Sequence, residues 1–252
     1  MPTDPPRLVL ASASPRRREL LARLTSPFDV IISTVEENPW NLSHRDFQAI
    51  DLPAPYDVPP EANPTLWGWR KAEAVVPQAT SDGRDALILG ADTIVVVDGD
   101  VLGKPRDAED ARAMLRRLAG RPHHVVTGWA FVLAHHDGPG APTISAPKYG
   151  YLSSMVQMGD YSESVIDWYV RTGEPLDKAG AYAAQGLGAD LVERVDGCLT
   201  NVIGLPLCEI REVLMALGGP VYPGTAWHGD CKGPYCSLDP QAPSDPLNVG
   251  EK

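Results

Sequence analysis

The amino-acid sequence predicts an α/β protein, built as one large domain or as two lobes around a cleft. Residues 8–10 form a short apolar strand, a turn of small residues follows, and a helix pattern begins at Pro15. Residues 88–97 are apolar enough for a buried strand, and residues 107–118 have the pattern of an amphipathic helix. The chain has 252 residues, 43% of them hydrophobic, which is enough to bury the core of such a protein.

The charge balance excludes several classes of partner. The net charge is −11 and the isoelectric point is about 4.9, so we expect no nucleic-acid partner and no binding to anionic membranes. No run approaches the roughly 18 apolar residues of a membrane helix, and residues 1–6 lack the charged and apolar regions of a signal peptide. We therefore expect a cytoplasmic enzyme. A polyanionic substrate would need locally placed cations or a divalent metal.

The four cysteines predict free thiols rather than a zinc site. Cys198 and Cys208 lie in the body of the chain, Cys231 and Cys236 lie near its end, and they form no CxxC pair. His228 with the last two cysteines is the alternative, a loose three-ligand metal site.

Residues 88–105 carry a clear indication of chemistry. An apolar strand is interrupted by Asp92 and Thr93, resumes, turns at Asp98-Gly99 and ends beside Lys104. A charged side chain inside a strand is costly unless a metal, a cation or a role in proton transfer compensates it. The Asp-Gly pair predicts a hairpin, which would bring Lys104 back toward Asp92. An acid and a lysine at one sheet end suit a metal-bound phosphate substrate, and a structural ion pair is the alternative.

The turn after the first predicted strand is a candidate anion site. Ser14 suits the N-cap of a helix and Pro15 suits its first position. Free N–H groups and the positive end of the helix dipole would therefore point at the turn. Arg16, Arg17 and Arg18 crowd the first helical turn, where cations are unfavourable unless an anion is bound. The alternative is a solvated basic turn.

Three further positions carry side chains that could bind a metal ion, a phosphate or a base. Glu37, next to another acid, follows the second predicted strand at residues 28–33, and paired carboxylates can hold a hard cation or simply be solvated. Lys71 lies in a predicted helix at residues 65–76, from which it could reach a phosphate or extend into solvent. Gln185 follows a run of small residues, and its amide offers the donor and acceptor that could read a base edge.

Three stretches lack a sustained periodic pattern. Residues 38–64 are rich in Pro, Asn and Asp and predict a long surface excursion, either a lid or an insertion. Residues 137–151 are rich in Gly and Pro and predict a loop. Residues 218–252 have a similar composition and predict a mostly disordered tail.

Several segments together resemble the Maf family of nucleoside triphosphate pyrophosphatases. They occur in the family's order and place one Maf-like domain at residues 7–217. The matching segments are residues 10–21 (Leu-Ala-Ser-Ala-Ser-Pro-Arg-Arg-Arg-Glu-Leu-Leu), 71–72 (Lys-Ala), 90–93 (Gly-Ala-Asp-Thr), 103–105 (Gly-Lys-Pro), 127–128 (Thr-Gly), 177–186 (Asp-Lys-Ala-Gly-Ala-Tyr-Ala-Ala-Gln-Gly) and 204–207 (Gly-Leu-Pro-Leu).

The resemblance implies an elongated fold with a central mixed sheet flanked by helices and a cleft between two lobes. It implies hydrolysis between the α and β phosphates, which gives a monophosphate and pyrophosphate, with Mg²⁺ or Mn²⁺ as the expected cofactor. The family's general base matches Asp92, and the metal-binding positions match Asp92 and Glu37. The substrate-binding positions match Ser12, Ser14, Arg16, Lys71, Thr93, Lys104 and Gln185.

Thr93 and Gln185 indicate the branch that resembles dTTP/UTP pyrophosphatases, with modified pyrimidine nucleotides as further substrates to consider. A neutral Gln can pair with a pyrimidine edge, whereas a carboxylate would suit a cationic methylated guanine. Two alternatives stay open: a 7-methyl-GTP-type pyrophosphatase and a non-catalytic nucleotide-binding regulator of cell division. A homodimer also stays open.

Overall fold

The computed structural model describes residues 5–35, 42–53, 55–136, 138 and 140–222. Over these ranges the chain folds into a mixed sheet flanked by helices, which confirms the predicted α/β class. Within the described ranges, every helix is too short or too polar to cross a membrane.

The sheet of the described residues contains eight strands in the hydrogen-bonded order β2-β1-β3-β5-β7-β8, with β4 paired to β3 and β6 paired to β5. Strand β1 pairs in parallel with β2 and β3, whereas the pairs β3–β4, β5–β6 and β7–β8 are antiparallel. The strands are β1 (Arg7–Leu10), β2 (Asp29–Val30), β3 (Ala86–Val97), β4 (Asp100–Leu102), β5 (Pro122–His135), β6 (Thr143–Ile144), β7 (Lys148–Met158) and β8 (Val192–Asp196).

The α-helices come both before and after the long strands, and short 3-10 helices connect several of the elements. The α-helices of the described ranges are α1 (Pro15–Leu24), α2 (His44–Ala49), α3 (Pro64–Ala74), α4 (Val76–Ala79), α5 (Ala108–Leu118), α6 (Glu163–Arg171), α7 (Leu199–Ile203) and α8 (Leu207–Ala216).

The chain divides into two compact units, as the prediction of two lobes requires. The first comprises the described residues up to 93, residues 127–152 and those from 209 onward, and the second comprises residues 94–126 and 153–208. Each unit has its own hydrophobic core. Core residues of the first unit include Val9, Leu66, Trp69, Ile88 and Val132, and those of the second include Val97, Leu115, Val156, Ile166 and Tyr169.

The predicted hairpin is confirmed. Val97 of β3 faces Asp100 of β4, so the loop contains only Asp98 and Gly99. Both loop residues have positive φ, 53° and 81°, the conformation of a type I′ turn that an Asp-Gly pair favours.

Four predicted segments differ from the structure. The strand expected at residues 28–33 shortens to β2, which lies at the edge of the sheet. The helix expected at residues 65–76 ends at Ala74, and α4 begins separately because the ring of Pro77 cannot continue a regular helix. The loop expected at residues 137–151 contains β6 and the first residues of β7.

The fourth difference is in residues 38–64, which were expected to form a surface excursion. Their described part forms α2 and two 3-10 helices, and Ile50 and Val58 are buried. Asp46 of α2 accepts a hydrogen bond from the Ser43 backbone at 2.6 Å and pairs with Arg70 of α3 at 3.1 Å. This stretch is therefore an integral, packed part of the first unit. Of the predicted tail, residues 218–222 are described, and the rest, with Cys231 and Cys236, lies outside the described residues.

Candidate active site

A buried ion pair joins α3 to β3 in the first unit. Asp92 of β3 is 6% exposed, and its Oδ1 lies 2.7 Å from Nζ of Lys71 on α3. The carboxylate inside the strand thus has a cationic partner, one of the three kinds of compensation expected for a charge in that position. The structure brings together the residue that matches the family's base and one of the predicted phosphate-binding cations.

Direct backbone packing positions this pair. A Cβ on Gly90 would lie 2.1 Å from the carbonyl oxygen of Gly68 in α3, and a Cβ on Gly128 would lie equally close to the α3 backbone. Glycine is therefore required at both positions for the helix to lie this near the strands. Side chains two residues apart lie on the same face of a strand, so the helix that packs on Gly90 also carries Lys71 to Asp92.

The opposite face of β3 carries a second polar cluster. Nη2 of Arg17 on α1 donates to Oγ1 of Thr93 at 2.9 Å, and Oγ1 of Thr93 lies 2.9 Å from Oγ1 of Thr127 on β5. Side chains of α1 and β5 therefore hold the Thr93 hydroxyl, whereas a side chain of α3 holds the Asp92 carboxylate. Arg16, the arginine predicted to bind substrate, is half-buried on α1.

Arg17 and Thr127 are the residues of this cluster that the site prediction missed. The sequence contained a signal for each of them, in the triplet of arginines and in the Thr-Gly segment that resembles the Maf family. Neither signal indicated a contact with Thr93, because three adjacent arginines point in three directions around a helix.

The turn before α1 has the predicted capping geometry. Ser14 is the N-cap of α1 and its Oγ accepts a hydrogen bond from the Arg17 backbone at 3.4 Å, with Pro15 at the first helical position. Ser12 is buried, and its Oγ accepts a hydrogen bond from the Ser14 backbone at 3.2 Å. The first turn of α1 contains no acidic residue, so its N–H groups and dipole favour an anion.

The remaining predicted residues belong to the second unit or lie outside the described residues. Lys104 is exposed just after β4 and belongs to the second unit. Gln185 is half-buried in the same unit, at the N-cap position of a 3-10 helix, Gly186–Leu191. Glu37 lies outside the described residues. Their roles stay predictions.

Asp92 is the one predicted metal-binding position within the described residues, and its chemistry suits a metal that also binds substrate phosphates. No group of three His, Cys, Asp or Glu side chains in this part of the chain could hold a metal ion. Mg²⁺ is usually bound by one or two carboxylates together with substrate phosphates, not by a cage of protein ligands. A single buried carboxylate such as Asp92 suits that form of binding. Cys198 and Cys208 are buried thiols that form no disulfide, as predicted.

Comparison with known proteins extends over most of the chain. The model of the family described as Maf-like protein matches residues 7–217. The dTTP/UTP pyrophosphatase of Geobacter metallireducens is 43% identical over 212 residues, which cover 84% of this chain and 96% of the relative. That of Symbiobacterium thermophilum is 40% identical over 219 residues, with 87% and 98% covered. That of Moorella thermoacetica is 43% identical over 216 residues, with 86% and 97% covered.

Proposed function

The chain belongs to the Maf-like protein family, and on this premise we propose that it is a nucleoside triphosphate pyrophosphatase that hydrolyses dTTP and UTP. The products are the nucleoside monophosphate and pyrophosphate. Similarity to relatives that carry the name dTTP/UTP pyrophosphatase supports the substrate class. The observation that carries the proposal is the buried pair of Asp92 and Lys71, because it places an acid and a cation side by side in segments that resemble the family.

The N-terminus of α1 binds phosphate oxygens. Its backbone N–H groups are oriented by the Ser14 cap, and the Ser12 hydroxyl lies in the same turn. Arg16 and Lys71 offset the negative charge of the phosphates by charge-assisted hydrogen bonds. We assign a further cationic role to Lys104 and recognition of the base to Gln185, both on the basis of the resemblance.

Asp92 acts as the general base. Its carboxylate orients a water molecule and accepts its proton as the water attacks the α-phosphorus. Lys71 compensates the charge of the buried carboxylate until this transfer neutralises it. A divalent cation, Mg²⁺ or Mn²⁺, would be held by Asp92 and Glu37 and would supply Lewis-acid polarisation of phosphate oxygens. Positioning of the substrate and neutralisation of its phosphate charge then supply most of the rate acceleration.

Asp92→Asn tests this assignment. We expect turnover to fall by roughly 100-fold or more while the fold is retained, because the amide cannot accept the proton. Pyrophosphate release with Mn²⁺ is the measurement, and circular dichroism checks the fold. Asp167→Asn is the matched control, since Asp167 forms a partly buried ion pair with Arg112 and has no role in the proposed site. Near-wild-type turnover by Asp92→Asn would exclude Asp92 as the base.

A substrate panel tests the rest of the proposal. We expect dTTP and UTP to be hydrolysed faster than 7-methyl-GTP, with modified pyrimidine nucleotides measured beside them. Preferred hydrolysis of 7-methyl-GTP would contradict the assigned branch. Tight nucleotide binding without pyrophosphate release would favour the non-catalytic regulator. A cytoplasmic location and a homodimer are further proposals, which cell fractionation and light scattering would check.

A further inference from the structure

We propose that Glu174 is a positioning residue for base recognition: its carboxylate fixes the turn that follows Gln185 and thereby the direction of the Gln185 amide. The inference rests on the proposed function, in which Gln185 contacts the base. Glu174 itself need not touch the substrate.

The carboxylate of Glu174 accepts three hydrogen bonds within the second unit. Its Oε1 accepts from the Tyr169 hydroxyl at 2.9 Å and from the Gly188 backbone N–H at 3.1 Å. Its Oε2 accepts from the Leu187 backbone N–H at 3.3 Å. Two of the three donors are thus consecutive backbone amides of the Gly186–Leu191 helix, which begins directly after Gln185. An ionised carboxylate is a strong acceptor for such N–H groups.

The turn closes tightly around this carboxylate. A Cβ on Gly186, where φ is +69°, would lie 3.1 Å from Oε2 of Glu174. A Cβ on Gly188 would lie 2.4 Å from the Tyr169 hydroxyl oxygen. Glycines are conformationally free in the unfolded chain and need an external constraint to hold one geometry. Glu174 supplies that constraint where the chain leaves Gln185.

A second anchor holds the chain on the other side of Gln185. The Tyr182 hydroxyl lies 2.6 Å from Nε2 of His123 on β5, and both side chains are buried. Gln185 lies between these two anchors with an extended backbone, φ −147° and ψ 167°. Fixing the backbone on both sides limits where the half-buried amide can point, so a base meets a preorganised donor and acceptor.

Glu174→Gln tests the inference while preserving the size of the side chain. The amide has one acceptor oxygen and one NH₂ donor, so it cannot accept from all three donors. We expect KM for dTTP and UTP to rise roughly tenfold with kcat within about twofold, as the loss of one hydrogen bond to a charged group predicts. Glu163→Gln is the matched control, because Glu163 pairs with Arg116 in an exposed ion pair. Its KM should equal that of the wild type.

A double-variant cycle separates positioning from a general structural role. In a Gln185→Ala background, Glu174→Gln should change KM by less than about twofold, because the group that it positions is gone. A full effect in that background, or an equal loss of kcat on every nucleotide with KM unchanged, would overturn the inference. Tyr169→Phe removes one donor to Glu174 and should raise KM less, with the same dependence on Gln185. It keeps the inference testable if Glu174→Gln does not fold.

Failure of the inference can be told from failure of the proposed function. If Gln185→Ala raises KM but Glu174→Gln behaves like Glu163→Gln, only the positioning role of Glu174 is refuted. If the wild type hydrolyses neither dTTP nor UTP, or if Gln185→Ala has the wild-type KM, the assigned role of Gln185 fails, and the inference fails with it.

Discussion

Replacing Lys71 by methionine should destabilise the protein, because it removes the cation from a buried pair. The side chains of Lys71 and Asp92 are 12% and 9% exposed, and their charged atoms lie 2.7 Å apart. Breaking a buried pair by removing one partner typically costs about 3–5 kcal/mol, since the other charge keeps its desolvation penalty. The pair retains slight solvent access, so we expect a loss near the lower end, about 3 kcal/mol of unfolding free energy.

Urea denaturation followed by circular dichroism at pH 7 measures this loss. The double variant Lys71→Met/Asp92→Leu should recover most of it, because both charges are then absent and the replacements are apolar. The double variant should also lack pyrophosphatase activity. A single variant within about 0.5 kcal/mol of the wild type would refute the reasoning, as such a value is typical of a surface substitution. A double variant less stable than the single one would refute it equally.

Two further predictions concern packing and pH. Gly90→Ala should cost about 3 kcal/mol or more, because its Cβ would meet the Gly68 backbone at 2.1 Å. Gly103→Ala, with nothing within 4 Å of the new Cβ, should be nearly neutral when both variants are measured by urea denaturation. Burial lowers the pKa of His123 from 6.5 to about 4, so between these values the unfolded chain binds a proton that the native state does not. The contribution of neutral His123 to the unfolding free energy should be fully present above pH 6.5 and should fall by about 3 kcal/mol toward pH 4. The measurement is the unfolding free energy of the wild type and of His123→Gln across this pH range. A difference between the two proteins that is constant with pH would contradict the prediction.

Local chemistry explains the parts that the sequence predicted well. A Ser-Pro pair specifies a helix start through its own hydroxyl and missing N–H, and α1 begins there. An Asp-Gly pair specifies a two-residue turn through its positive φ angles, and β3 and β4 meet there. The carboxylate of Asp92 inside a strand predicted a metal, a cation or a role in proton transfer, and Lys71 is a cation beside it.

Long-range packing explains the parts of the structure that the sequence did not predict. Ile50 and Val58 are buried singly in a stretch of short helical turns, so no period of two or 3.6 residues reveals them. The choice of Arg17 over its neighbours as the partner of Thr93 depends on the rotation of α1 against β3. No pattern in the sequence marked Gly90 and Gly128 as points of close backbone approach, and only the folded chain shows that α3 packs on both.

Consecutive positions of β3 serve two different helices, Asp92 toward α3 and Thr93 toward α1. Under the proposed function, the general base and Thr93, one of the two positions that indicate the substrate branch, therefore lie on opposite sides of one strand. A library that varies Thr93, its partners Arg17 and Thr127, and Gln185 would leave the packing of α3 on Gly90 and Gly128 unchanged.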